Sequence, residues 1–200
     1  MISLKRSICL LSAMTLTVSL VSGCAKAPNA ELEAAKAAIE AAKNAEADKY
    51  MANNYKNLLK ALETSEAEIA TQNQKVFFGR SYKNAKTMLS KMTTVAQDIT
   101  KEAPKAKADF IATVKENIPI AKENLATSAK SISNAAKSKD KKAVVEELKG
   151  YLSAADTVLM AAIKDSEAGD FLTASERLDT VQATVNRITE TLKPKDEPQM

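Results

Sequence analysis

Among its 200 residues the sequence has no histidine and no tryptophan, only two cysteines and four glycines, and 4% aromatic residues. Without imidazole, and with both thiols near the start of the chain at Cys9 and Cys24, the usual nucleophile–base pairs and the His or Cys metal sites are excluded. The expectation is a non-enzymatic protein with no cofactor and no metal. Beyond Val21 no segment approaches the roughly 20 consecutive apolar residues that a transmembrane helix requires.

An excess of one charge is also missing. Of the 29 Lys and Arg residues, Lys5 and Arg6 lie in the first 23 residues, where there are no acids, leaving 27 basic residues against 25 Asp and Glu. Lys and Glu alternate along helical faces, as in Glu31, Glu33, Lys36, Glu40 and Lys43, so no concentrated basic face offers itself to nucleic acid.

What is present starts with a leader. Residues 1–23 have the layout of a signal peptide, with Lys5 and Arg6 as the charged start, an apolar stretch from Ile8 to Val21, and small residues Ser22 and Gly23 before Cys24. Cys9 belongs to that leader, so no intramolecular disulfide is expected and the fold must rely on its apolar core. Leu20, Val21, Ser22, Gly23 and Cys24 resemble the lipobox of bacterial lipoproteins, with Val21 in place of the more usual leucine. The resemblance implies cleavage between Gly23 and Cys24 and diacylglycerol on the Cys24 sulfur. A membrane then becomes the first partner, held stably by two or three acyl chains at about 0.8 kcal/mol per buried methylene. Ala25, rather than an aspartate resembling an inner-membrane retention signal, follows the cysteine. The periplasmic face of an outer membrane is therefore the expected address if the source has two membranes. The alternative is an ordinary secretory signal cut nearby, releasing a soluble protein.

The remaining chain reads as all-α, an antiparallel helical bundle of two three-helix units with heptad-like apolar seams. Residues 24–29 form the lipidated cysteine and tether, 30–103 the first unit, 104–193 the second, and 194–200 a flexible tail. Spacings of three and four residues mark six helices. The first uses Leu32, Ala35, Ile39 and Ala42; the second Tyr55, Leu58, Leu59, Leu62 and Ile69; the third Tyr82, Ala85, Leu89, Met92, Ala96 and Ile99. After Pro104 a fourth uses Ile111, Val114, Ile118, Ala121, Leu125 and Ile132, with a kink or split expected at Pro119. The fifth runs from Val145 to Ala162 and the sixth from Phe171 to Leu192. Gly79 with Ser81, and Gly169 with Asp170, pair a helix-ending glycine with a capping side chain. Tyr82, Ala85, Leu89, Met92 and Ile99 fall opposite Phe171, Ala174, Leu178, Val181 and Ile188 at one constant offset. That register suggests a duplicated unit, although the first and fourth helices match poorly.

Pro28, the alanine-rich run Glu31 to Ala42, Tyr50, Met51 and Ala52 before Tyr55, and the start at Tyr82 and Ala85 resemble a family of bacterial lipoproteins with an Ala-rich helical domain of unknown function. The resemblance covers roughly residues 25–99. It departs from the family in having no proline near Asn53 and an extra residue before Tyr82. Gly169, Asp170 and Phe171 match the family's Gly-Asp-Tyr helix entry better.

Few residues suggest chemistry. Glu146 with Glu147, and Asp165, Glu167 and Asp170, are the densest acidic groups, with a solvated face and a helix cap as the expected roles and a weak calcium site or an acid/base pair as the other reading. Candidate partner contacts are the aromatic pair Phe77 and Phe78 beside Gly79, and the basic turn carrying Lys139, Lys141 and Lys142. For the pair, closure of the core at the bundle end is the plainer expectation, and for the lysines a solvated loop. Met88, Met92 and Met160 are expected to fill the core. The sequence thus points to a membrane-anchored envelope scaffold or adaptor that binds an envelope protein through its helix faces. The alternative is a periplasmic carrier of a lipid or other apolar ligand. Oligomeric state stays open.

Overall fold

A computed structural model describes residues 26–138 and 142–193. It is all-α, with no strand among the described residues. The helices are α1 (Asn29–Asn44), α2 (Ala47–Tyr50), α3 (Ala52–Gln74), α4 (Lys83–Ala135), α5 (Lys142–Glu167) and α6 (Phe171–Leu192). The chain divides into two compact units, the division falling between Lys107 and Ala108.

The third and fourth expected helices are one helix, α4, of 53 residues. Pro104 and Pro119 both sit inside it with exposed side chains. Each removes a backbone donor and crowds the turn before it, at a cost of about 3 kcal/mol in a helix interior. Packing on both sides offsets this, because Ile99 and Ala103 lie in one core and Val114 and Ala121 in another. The sixth helix of the count is instead the short α2. It follows Glu46, whose left-handed backbone (φ 62°) ends α1. An acidic residue there is strained, and its carboxylate is held by Lys49 at 3.0 Å and by Lys107.

In unit 1, α1, α3 and the first part of α4 close around Ala35, Ile39, Leu58, Ile69, Tyr82, Leu89 and Ile99. Two ion pairs give the directions: Glu31 meets Lys86 at 3.0 Å near the starts of α1 and α4, and Glu46, just past the end of α1, meets Lys107 further along α4. These helices therefore run parallel, with α3 returning between them, tied to α1 by Lys36 and Glu66 at 2.9 Å. Such exposed pairs fix register more than they stabilise.

In unit 2, the later part of α4, α5 and α6 enclose Val114, Leu125, Leu159, Leu178 and Val181, and a second cluster of Ile132, Val145, Leu148 and Ile188 continues the seam. The antiparallel pairing of α5 and α6 is bracketed by Asp165 with Arg177 and by Glu147 and Tyr151 with Arg187. Gly169 adopts φ +85° and the Asp170 carboxylate accepts from the Thr173 N–H, so this reversal uses the glycine and cap read from the sequence.

Burial extends the internal repeat beyond the third helices, which match at an offset of 89 residues, to the first and second helices, which match at 90. Leu58, Ser65, Ile69 and Gln72 of α3 match Leu148, Ala155, Leu159 and Ala162 of α5 at an offset of 90 residues, and all eight are buried. Ala35, Ala38 and Ala42 of α1 match Leu125, Ser128 and Ile132 of α4 at the same offset, again all buried. The first helices agree in which positions face inward but differ in side-chain size, which hid the match from residue type alone.

Candidate interaction surface

The α3–α4 reversal departs most from expectation. Helix α3 stops at Gln74, and a 3-10 turn spans Phe77–Gly79. Gly79 is not a helix terminator and its φ is not positive. Ser81 does not act as the expected cap; its N–H donates to Gln72 Oε1 at 3.1 Å. The segment is nonetheless tightly held. Arg80 donates Nε to the Lys75 carbonyl at 2.9 Å and Nη2 to the Asn73 carbonyl at 3.1 Å, a side-chain cation on the last carbonyls of a helix. The buried Gln72 amide is fixed by Glu68 at 2.9 Å, and the buried Tyr82 hydroxyl donates to Asn73 Oδ1.

On this support Phe77 is 67% exposed and Phe78 91%, with Val76 beside them at 62%. The expectation that the aromatic pair closes the core is therefore corrected: the buried Tyr82 closes it, and the phenylalanines face solvent. From Ile69 to Gln97 there is no acidic residue, while Lys75, Arg80, Lys83, Lys86 and Lys91 are basic. Lys86 is bound to Glu31, whose carboxyl this ammonium holds below the ordinary carboxylate range.

A second surface lies between α3 and α4 in unit 1. An open groove of about 370 Å³ is lined by Leu58, Ala61, Met88, Met92, Val95 and Ile99, with Asn54, Asn57 and Lys91 at its polar edge. Val95 is half exposed within it. Met92 is buried and Met88 partly so, but Met160 of α5 is exposed rather than core-filling, and so is Leu59 of α3. Their positions lie one helical step off the inward stripe, where a sequence reading of apolar spacing assigns too many residues to the seam.

The other candidates separate. Lys142 is the exposed first residue of α5; Lys139, Lys141, Gly23 and Cys24 lie outside the described residues, as does the tail 194–200. Among the acidic groups, Glu146 binds Lys149, Glu147 accepts from Tyr151, Asp165 pairs with Arg177 at 2.5 Å, and Asp170 caps α6. No group of three or more His, Cys, Asp or Glu residues suited to a metal occurs among the described residues. No described helix is long and apolar enough to cross a membrane.

Sequence reasoning missed Arg80 and Gln72 as organisers of the reversal. The available signal was the apolar triplet Val76-Phe77-Phe78, consecutive rather than spaced by three or four, with a basic residue just to either side at Lys75 and Arg80. No family model matches the chain, and no curated protein or solved structure matches it either.

Proposed function

We propose that this protein is a lipid-anchored scaffold or adaptor of the bacterial cell envelope, held to a membrane through Cys24 and binding an envelope protein by its helix faces. The carrying observation is the α3–α4 groove, an apolar strip with polar edges that follows α4 from Met88 to Ile99, about 16 Å of helix, the kind of surface that takes the apolar face of a partner's amphipathic helix. Met88 and Met92 within it can repack around different side chains. The lipobox-like run Leu20 to Cys24 supports the anchor, and Ala25 supports an outer-membrane address where there are two membranes. The resemblance to Ala-rich helical lipoproteins agrees with this reading and adds no chemistry.

The same groove favours a second reading, because about 370 Å³ falls within the range of small-ligand sites, wide enough for part of a lipid chain. A photocrosslinker at Val95 in the full-length protein in its membrane separates the two. The adaptor reading expects one envelope protein to be captured, saturably, with capture lost in Cys24→Ala and competed by unlabelled protein. Capture of lipid alone, with no protein adduct, overturns the adaptor and leaves the carrier.

A further inference from the structure

The end of unit 1 that carries the exposed aromatic tip is also the end where the chain enters the fold. Pro28 is fully buried and its carbonyl accepts from the Leu32 N–H, so the backbone is fixed from residue 28 onward. Glu31 touches Lys86, and Ala27 and Leu32 pack on the same core as Tyr82. The start of α1, the end of α3 and the start of α4 are therefore neighbours. Four peptide units separate Cys24 from Pro28, and an extended chain covers at most about 14 Å over that length. A lipid on Cys24 would hold this end of unit 1, and no other, against the bilayer surface.

We propose that Val76, Phe77 and Phe78 form a second membrane contact, inserting among the lipids of the leaflet that holds the Cys24 acyl chains while Lys75 and Lys83 face anionic headgroups. The inference rests on the reading of Cys24 as lipidated. Three observations converge on a lipid surface as the occupant. The tip is apolar and exposed on a support of side-chain hydrogen bonds, so its exposure is built in. Its flanks are basic, with no acid between Ile69 and Gln97, which complements anionic lipid. A chain cleaved at the expected point would begin only four residues before the buried Pro28, at the end of unit 1 where the starts of α1 and α4 meet through Glu31 and Lys86. Unit 2 makes the corresponding reversal without a tip: Gly169 and Asp170 turn the chain directly into α6, and Phe171 is partly buried with Lys115 5.6 Å from its ring centre. The fold does not require an exposed apolar loop at this position.

The absence of tryptophan makes the test direct. In the full-length lipidated protein, Phe78→Trp places a single indole at the tip, and Leu59→Trp places one on the exposed side of α3, about 22 Å back along the helix from Gln74. Both are reconstituted on vesicles of phosphatidylcholine with a minority of phosphatidylglycerol, with and without brominated phosphatidylcholine. The expected result for Phe78→Trp is blue-shifted indole emission quenched by the brominated lipid, with Leu59→Trp neither shifted nor quenched. Slower hydrogen exchange across residues 76–81 of the unsubstituted protein on the same vesicles would show that the introduced indole does not drive insertion. Protein that floats with the vesicles while the indole at the tip stays red-shifted and unquenched overturns the contact and leaves the anchor intact. A concentration-dependent shift that the brominated lipid does not quench assigns the tip to a second copy and also overturns it. Protein that does not float, with an unmodified Cys24 by mass spectrometry, removes the anchor itself and the inference with it.

Discussion

Units 1 and 2 match in their buried positions, at an offset of 90 residues over the first two helices and 89 over the third, yet close their seams and their reversals differently. At matched places unit 1 buries Ala35, Ala38 and Ala42 where unit 2 buries Leu125, Ser128 and Ile132. Between the second and third helices unit 1 uses residues 75–82, whereas unit 2 uses only 168–170. A three-helix unit tolerates either seam because the inward pattern, not the identity of the side chain, decides which faces meet. What the pattern does not fix is the loop. Unit 2 shows the short solution, a left-handed glycine and an aspartate cap, and unit 1 departs from it by holding three apolar side chains in solvent.

The largest expected effect comes from exchanging seam side chains between matched positions. Leu125→Ala gives unit 2 the residue that unit 1 carries at Ala35, and the neighbours of Leu125 are built around a larger side chain. Urea unfolding of the full chain should show a loss of about 2–5 kcal/mol from the lost transfer energy and the cavity left behind. The reverse change, Ala35→Leu, overfills a fully buried position and should cost about 1–3 kcal/mol. If Leu125→Ala is instead nearly neutral, the two seams are interchangeable and the contrast in packing is not structural. The reversals come next. Gly169→Ala forces a Cβ onto φ +85° and should cost about 1–2 kcal/mol, the penalty of a left-handed residue. Gly79→Ala meets only Val76 Cγ2 at 3.7 Å, an ordinary contact, and should leave the stability within about 0.5 kcal/mol of the parent, as for most surface changes. Equal losses at the two glycines would erase the distinction between the turns.

Much of this was legible beforehand. The all-α class and nearly every inward position followed from spacing, since Ala85, Leu89, Met92, Ala96 and Ile99 could occupy one stripe only on a helix. Gly169 with Asp170 was readable because left-handed backbone and side-chain capping each favour particular residues. Three features were not. The continuity of α4 through Pro104 and Pro119 depends on tertiary packing that outweighs a local penalty. The repeat of α1 was obscured because alanine and leucine can fill the same inward position. The exposed tip depends on Arg80 reaching back to two carbonyls at the end of α3, a contact between segments whose pairing no short-range pattern specifies. Of the candidate surface, Phe77 and Phe78 were identified by residue type, but their outward direction follows from Tyr82 taking the core position nearby.

The smallest expected effect separates the two reversals by their response to acid. Hydrogen bonds from the Thr173 side chain and N–H, with Arg177 nearby, hold the Asp170 carboxyl below the ordinary aspartate range. Its folded pKa is depressed relative to the unfolded chain, so the stabilisation it provides is complete above the unfolded value and disappears as pH falls through the folded one. Asparagine retains the capping oxygen without titrating in this range. Thermal melts of the parent and Asp170→Asn should therefore differ near neutrality, with the parent more stable, and converge as the solution is acidified past the depressed pKa. The Arg80 contacts in the reversal of unit 1 should behave otherwise, because they end on backbone carbonyls. Arg80→Ala should lower the melting midpoint by an amount that hardly changes over the same acid range, since none of the groups it binds at Asn73 and Lys75 is a carboxylate. A parent–Asp170→Asn difference that stays constant with pH would mean that the cap acts only as a neutral acceptor, and the electrostatic contrast between the two turns would be lost.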